Sequence, residues 1–120
     1  MTALKVLLVD DHEVVRKGLK YVLDDLEDFT FIGEASSAQV AIHMTEELNP
    51  DIVILDIRMP GGSGLDACRA IYEKNPNIKI IMLTSYGDDE SIAEAIQAGA
   101  VGYILKDGST DELVRALTAI

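Results

Sequence analysis

The amino-acid sequence predicts an α/β domain: a (βα)5 chain whose five parallel strands form one doubly wound sheet in the order 2-1-3-4-5. Three observations carry that expectation. Short runs rich in Val, Ile and Leu recur five times along the chain, and the segments between them place apolar residues at helical spacing. Strict alternation of strand and helix implies parallel pairing through right-handed crossovers, with helices on both faces of the sheet. The third and fourth runs, "IVIL" and "IKIIML", are almost continuous in apolar residues, as central strands covered on both sides must be.

Taken in order, the first strand is Leu4–Val9, and the helix after it carries a stripe of Val14, Val15, Gly18, Leu19, Val22, Leu23 and Leu26 facing the sheet. The second strand is Phe29–Ala35. Its helix opens on a capping box of Ser36 with Gln39, carries Val40, Ile42 and Met44, and stops at Asn49-Pro50. Ile52–Leu55 is the third strand, followed by a helix with Leu65, Cys68 and Ile71 that ends near Asn75-Pro76. Ile78–Leu83 is the fourth, and its helix holds Ile92, Ala95 and Ile96 and ends at Gly99. The acids Asp88 to Glu90 suit the first turn of that helix, where the dipole is positive. The fifth strand, Val101–Leu105, leads to a helix capped by Ser109 with Glu112, with Leu113, Ala116, Leu117 and Ile120 as its stripe.

Composition narrows the function classes. Residues 1–120 make one domain, with 48% hydrophobic and 26% charged residues. Cys68 is the single cysteine, so no internal disulfide exists, no zinc-type cluster is present, and a cytoplasmic location is expected. No run is long enough to span a membrane. With 21 acidic against 10 basic residues the net charge is −11, and the cations are scattered, so this chain is not expected to bind nucleic acid.

The polar residues that end the strands are the informative ones. Asp10 and Asp11 close the first strand and Asp56 the third, the two strands flanking the switch point where doubly wound sheets bind ligands. Thr84 closes the fourth strand and Lys106 the fifth. Two carboxylates about 4 Å apart repel by roughly 4 kcal/mol at an effective dielectric near 20, so three gathered acids call for a cation. Mg²⁺, a hard ion that binds through one or two carboxylates plus waters and phosphate oxygens, fits, and with Lys106 it would neutralise the acids. His12 is expected to face outward at the start of the first helix, His43 to lie on the surface, and Cys68 to act as a small hydrophobe.

"VLLVDDHE", "PDIVILDIRMPGGSG", "IIMLTS" and "GYILKD" resemble, in order and spacing, the receiver domains of two-component response regulators, across essentially the whole chain. "DDHEVVRKGL" with "GYILKD" is most similar to the NarL/LuxR type. The resemblance implies a flavodoxin-like fold and a phosphoacceptor switch rather than an enzyme. Asp56 would accept the phosphoryl group, Asp10 and Asp11 would form the acidic metal pair, and Thr84 and Lys106 would contact the phosphoryl group. Tyr103 matches the aromatic switch position, and the Arg58 backbone carbonyl would complete the Mg²⁺ ligands with Asp11 and Asp56. It further implies a sensor histidine kinase as donor, a C-terminal helix-turn-helix DNA-binding domain in the full-length protein, and a phosphorylation-dependent homodimer. Asp107 follows Lys106 where many receivers have Pro, and Gly61-Gly62 replaces a bulkier residue in the loop after Asp56. Two other classes compete. A haloacid-dehalogenase-like phosphohydrolase would need Asp-x-Asp where this chain has Asp10-Asp11-His12. A flavodoxin-like FMN carrier would need a phosphate loop where this chain puts acids.

Overall fold

The computed structural model describes residues 3–59, 62–85, 89–106 and 110–120. The elements are β1 (Leu4–Val9), α1 (Glu13–Asp24), β2 (Phe29–Ala35), α2 (Ala38–Leu48), β3 (Ile52–Asp56), β4 (Arg58–Met59), β5 (Gly62–Ser63), α3 (Gly64–Lys74), β6 (Lys79–Thr84), α4 (Asp89–Gln97), β7 (Gly102–Leu105) and α5 (Thr110–Thr118). Five strands form a parallel sheet in the order β2-β1-β3-β6-β7, which is the expected 2-1-3-4-5 when those five are counted alone. The antiparallel pair β4–β5, two residues per strand, was not anticipated; it folds the segment after Asp56 back on itself.

The sheet separates two apolar layers. Leu7, Val9, Val53, Leu55, Ile80 and Met82 pack on one side against Ala41 of α2, Ala67, Cys68 and Ile71 of α3, and Ala95 of α4. Val6, Leu8, Ile52, Ile54, Ile81 and Leu83 pack on the other against Leu23 of α1 and Leu113 and Leu117 of α5. Side chains of β1, β3 and β6 therefore alternate between two buried layers, which explains why their sequences read as unbroken apolar runs.

β2 departs from simple alternation. Val6 pairs with Phe31 but Leu7 pairs with Gly33, so Ile32 is an extra residue. Phe29 and Phe31 face α1 and α5 before this bulge, whereas Ala35 faces the α2 side after it. One inserted residue reverses which side every later side chain takes, so Glu34 is turned toward α1.

Several helix expectations need correction. Ser37, not Ser36, caps α2, its hydroxyl accepting the Val40 N–H at 3.3 Å. Val14 is 83% exposed: Val15, Leu19, Val22 and Leu23 already fill the sheet-facing side of α1, and a neighbour about 100° round the helix points away. Val40 and Ile96 are exposed as well, the inward positions being taken by Ala38 and Ala41 in α2 and by Ala95 in α4. The fourth and fifth strands each begin one residue later than expected, at Lys79 and Gly102. The stops hold: Asn49 ends α2 in the left-handed region at φ 49°, and Gly99 follows α4 at φ 120° against the Tyr72 ring. The Ser109 cap, Asp88, Gly61 and the Lys106–Asp107 peptide lie outside the described residues.

Candidate metal and phosphoryl site

The strand ends are tied together by their backbones before any side chain is considered. Asp10 N–H donates to Ala35 O at 3.0 Å, Ile57 N–H to Leu83 O at 3.1 Å, and Lys106 N–H to Thr84 O at 2.7 Å. These bonds hold Asp10, Asp56, Thr84 and Lys106 at the carboxyl edge of β1, β3, β6 and β7. A close contact sets the far side of the acceptor loop. Gly64 N–H donates to Ile57 O at 2.8 Å, and a Cβ on Gly64 would lie 2.0 Å from the Asp56 carbonyl oxygen. Only glycine allows α3 to begin so near the backbone of Asp56.

Asp10, Asp11, His12 and Asp56 each offer a ligand atom, and these atoms lie within 4.8 Å of one another. Asp10 and Asp56 are buried, and Asp11 is partly exposed. Lys106 Nζ donates to Asp56 Oδ2 at 2.7 Å and makes an ion-pair contact with Asp10 Oδ2 at 3.2 Å. The Arg58 N–H donates to Asp56 Oδ1 at 3.2 Å, so the two-residue step from Asp56 to Arg58 closes a small turn over the carboxylate.

The electrostatics show a site short of positive charge. Burial pushes the Asp56 carboxyl up to about 6; the hydrogen bond from Lys106 opposes this, and the nearby Asp10 charge adds to it. Burial alone would lower the Lys106 ammonium, but its hydrogen bonds and charge contacts with Asp56 and Asp10 hold it above the ordinary lysine value. Among the described residues, Asp10 Oδ2 and Asp11 Oδ1 are buried without a hydrogen-bond donor in good geometry. Buried carboxylate oxygens left in this way are costly, and a hard divalent cation is the group that relieves them. Asp10, Asp11 and Asp56 fit Mg²⁺.

Thr84 sits at the end of β6, 1% exposed, with a buried Oγ1 that has no hydrogen-bond partner among the described residues. Tyr103 is not gathered with the acids. It lies on β7 opposite Met82, two residues before the Leu105–Thr84 pairing, and is 52% exposed. His12 corrects an expectation in part. Its side chain is 62% exposed, but Nδ1 turns inward, 3.0 Å from Asp10 Oδ1 and 3.2 Å from Asp11 Oδ1. Arg58 has an exposed side chain. Cys68 is fully buried, and burial pushes its thiol up to about 11, in keeping with a packing role.

A model of the response regulator receiver domain matches residues 6–118. The chain belongs to the response-regulator receiver family. This receiver is 46% identical over 115 residues to the transcriptional regulatory protein YdfI of Bacillus subtilis, covering 96% of this chain and 54% of that protein. It is 43% identical to the DNA-binding transcriptional activator DevR/DosR of Mycobacterium tuberculosis, covering 94% of this chain and 52% of that one. The receiver thus spans about half the length of these relatives. A LuxR-family two-component response regulator from Aurantimonas superposes with a TM-score of 0.91 at 32% identity, covering 98% of this chain and 84% of that chain. A DNA-binding LuxR-family response regulator from Staphylococcus aureus gives 0.88 at 29% identity, covering 97% of each chain. Among the described residues no helix of the receiver is long and apolar enough to cross a membrane.

Two contributors to this site were not read from the sequence. Gly64 was one glycine among several in "GGSG", and only the approach of α3 to Asp56 distinguishes it. Arg16, one of the scattered cations, donates from Nη1 to the Asp10 carbonyl oxygen at 2.6 Å and lies beside inward-facing Val15 at the edge of the apolar side of α1. A charge within a stripe of that kind is the signal that could have found it.

Proposed function

We propose that this receiver accepts a phosphoryl group on Asp56 from the phosphohistidine of a sensor kinase and changes conformation in response. The observation that carries the reading is the buried Asp56 carboxylate, held 2.7 Å from Lys106 Nζ inside a cluster of acids. An Asp56 oxygen attacks phosphorus, the new O–P bond forms as the histidine N–P bond breaks, and the imidazole leaves with the electron pair and takes up a proton. Lys106 supplies a fixed positive charge for the phosphoryl oxygens, and the Thr84 hydroxyl, without a partner among the described residues, supplies a hydrogen-bond donor. Mg²⁺, held by Asp11, Asp56 and the Arg58 backbone carbonyl with Asp10 behind them, would supply charge neutralisation for transfer and hydrolysis. The domain assists its own phosphorylation and dephosphorylation and is a switch rather than an enzyme acting on a separate substrate.

The switch element is Thr84 with Tyr103. Drawing the Thr84 hydroxyl toward a phosphoryl oxygen frees space beneath Tyr103, whose half-exposed ring moves inward. The differential contacts of the phosphoryl group in the two arrangements supply the bias such a change requires. Residues 1–120 act as the receiver domain of a longer cytoplasmic regulator with a C-terminal helix-turn-helix domain. Support comes from relatives named as transcriptional regulators, of which this chain spans about half, 54% for one of them. Phosphorylation then adjusts dimerisation and DNA binding by that second domain.

Intact-mass measurement after treatment with acetyl phosphate and Mg²⁺ tests the covalent step. One phosphate increment is expected on the wild-type chain and none on Asp56→Ala; an increment that persists in Asp56→Ala would move the acceptor. Gel-shift assays test the division of labour. Residues 1–120, at a net charge of −11, should leave duplex DNA unshifted at physiological salt, and tight binding would overturn it.

A further inference from the structure

A cation on α1 has a geometry that reaches into the acidic loop. The Arg16 side chain is only 13% exposed, unusual for a charge on a helix otherwise covered by solvent on one face and apolar on the other. Its Nε donates to Glu34 Oε1 at 2.9 Å, and its Nη1 donates to the Asp10 carbonyl oxygen at 2.6 Å. Glu34 is available because of the bulge at Ile32: with uninterrupted alternation from Phe29 it would point to the α2 side of the sheet.

The Asp10 peptide is consequently held at both ends. Its N–H donates to Ala35 O at 3.0 Å and its carbonyl accepts from Arg16. Downstream, the His12 N–H donates to Asp10 Oδ1 at 2.8 Å, and the Arg16 N–H donates to His12 O at 3.2 Å as α1 begins. The segment from Asp10 to His12 is therefore closed into a short loop with Arg16 clamping its base. A charge-assisted bond to a main-chain carbonyl is among the stronger restraints available to a loop.

We propose that Arg16 is a positioning residue for the acidic site: its guanidinium, aligned by Glu34, fixes the Asp10 carbonyl and so sets the carboxylates of Asp10 and Asp11 in the arrangement that receives the cation. Arg16 touches none of the reacting groups and acts through the loop. This rests on the Mg²⁺ reading above for its functional consequence, while the loop restraint itself stands on the hydrogen bonds. The planar fork of arginine reaches two acceptors at once. Lysine keeps the charge but offers a single nitrogen, so Arg16→Lys is the informative variant, with Glu34→Gln as the partner that keeps an acceptor and removes the charge.

The test measures two quantities on residues 1–120. In metal-free protein, amide hydrogen exchange at His12 is expected to quicken about tenfold in Arg16→Lys and by a smaller factor in Glu34→Gln, with the β3 amides Val53 to Leu55 exchanging as in wild type. Calorimetric titration with Mg²⁺ should show about tenfold weaker binding in Arg16→Lys. Unchanged His12 exchange together with unchanged Mg²⁺ affinity would overturn the proposal, as would an equal loss of protection throughout β3, which marks a global effect. Faster His12 exchange in a protein whose wild type binds no Mg²⁺ would uphold the anchor and instead overturn the metal reading.

Discussion

Strand β3 has an aspartate at each end, and the two sit in different electrostatic surroundings. Asp51, just before the strand, has every main-chain group and one carboxylate oxygen matched: its N–H donates to Lys5 O at 2.9 Å, its carbonyl accepts from Lys79 N–H at 3.0 Å, and Oδ2 accepts from Lys5 N–H at 2.7 Å. Asp56, at the other end, is buried beside another acid, with its carboxyl pushed up to about 6 by that burial. Both residues bound an apolar run, yet Asp51 answers the backbone of the neighbouring strand, whereas Asp56, whose oxygens accept from the Arg58 N–H and Lys106 Nζ, shares that one lysine with the buried Asp10. The shortage at the Asp56 end is of charge rather than of donors: one ammonium faces two buried carboxylates, the arrangement that the proposed cation would relieve.

The contrast can be broken experimentally, beginning with the largest effect. Asp56→Asn is expected to abolish the acid-labile phosphate adduct completely, whereas Asp51→Ala should phosphorylate as wild type; loss of the adduct in both by intact-mass measurement would erase the distinction. Next comes Gly64→Ala. A Cβ 2.0 Å from the Asp56 carbonyl must displace the acceptor loop, and overpacking of this kind costs about 2–3 kcal/mol, read from urea unfolding. Mg²⁺ at a hundred times its dissociation constant should stabilise the wild type by about 2.7 kcal/mol and leave Asp11→Ala almost unmoved. The smallest effect is at the structural end: Asp51→Ala removes one charge-assisted bond to a partly exposed strand start and should cost about 1–2 kcal/mol, independent of Mg²⁺.

The same two ends explain how much of the fold and the site was legible in the sequence. Strand runs ending in Asp10, Asp56, Thr84 and Lys106 were legible because the topology of a doubly wound sheet places those residues along one edge, whatever the details of packing. Asp51 lies beside the same strand and was passed over, since its partner is a main-chain N–H 46 residues away. The bulge at Ile32 escaped although "FTFIGEA" carries one hint, Gly33, since an isolated strand glycine signals either a bulge or a close packing approach, and the extra residue exists only relative to β1. Arg16 followed from that miss, because its partner Glu34 faces α1 only after the bulge. Val14 and Val40 were misplaced because an apolar residue at the flank of a stripe is compatible with either side, and the neighbours that fill the interior decide it. Ser36 and Ser37 are equally good caps by type, and only backbone geometry chose between them.

Asp56 contributes to stability with a sign set by its burial. A carboxyl whose folded value is raised to about 6 from an ordinary 3.8 binds its proton more tightly when folded, so folding is favoured below about pH 4 and loses that contribution as pH rises through about 6. Urea unfolding of metal-free wild type and Asp56→Asn at pH 7 and at pH 4 tests it most directly. Asp56→Asn is expected to be more stable than wild type by about 1–3 kcal/mol at pH 7, with the difference shrinking toward zero at pH 4. A variant less stable than wild type at pH 7 would mean that the Lys106 pairing already outweighs the cost of burying the Asp56 charge, and would contradict the reading of this edge as short of positive charge.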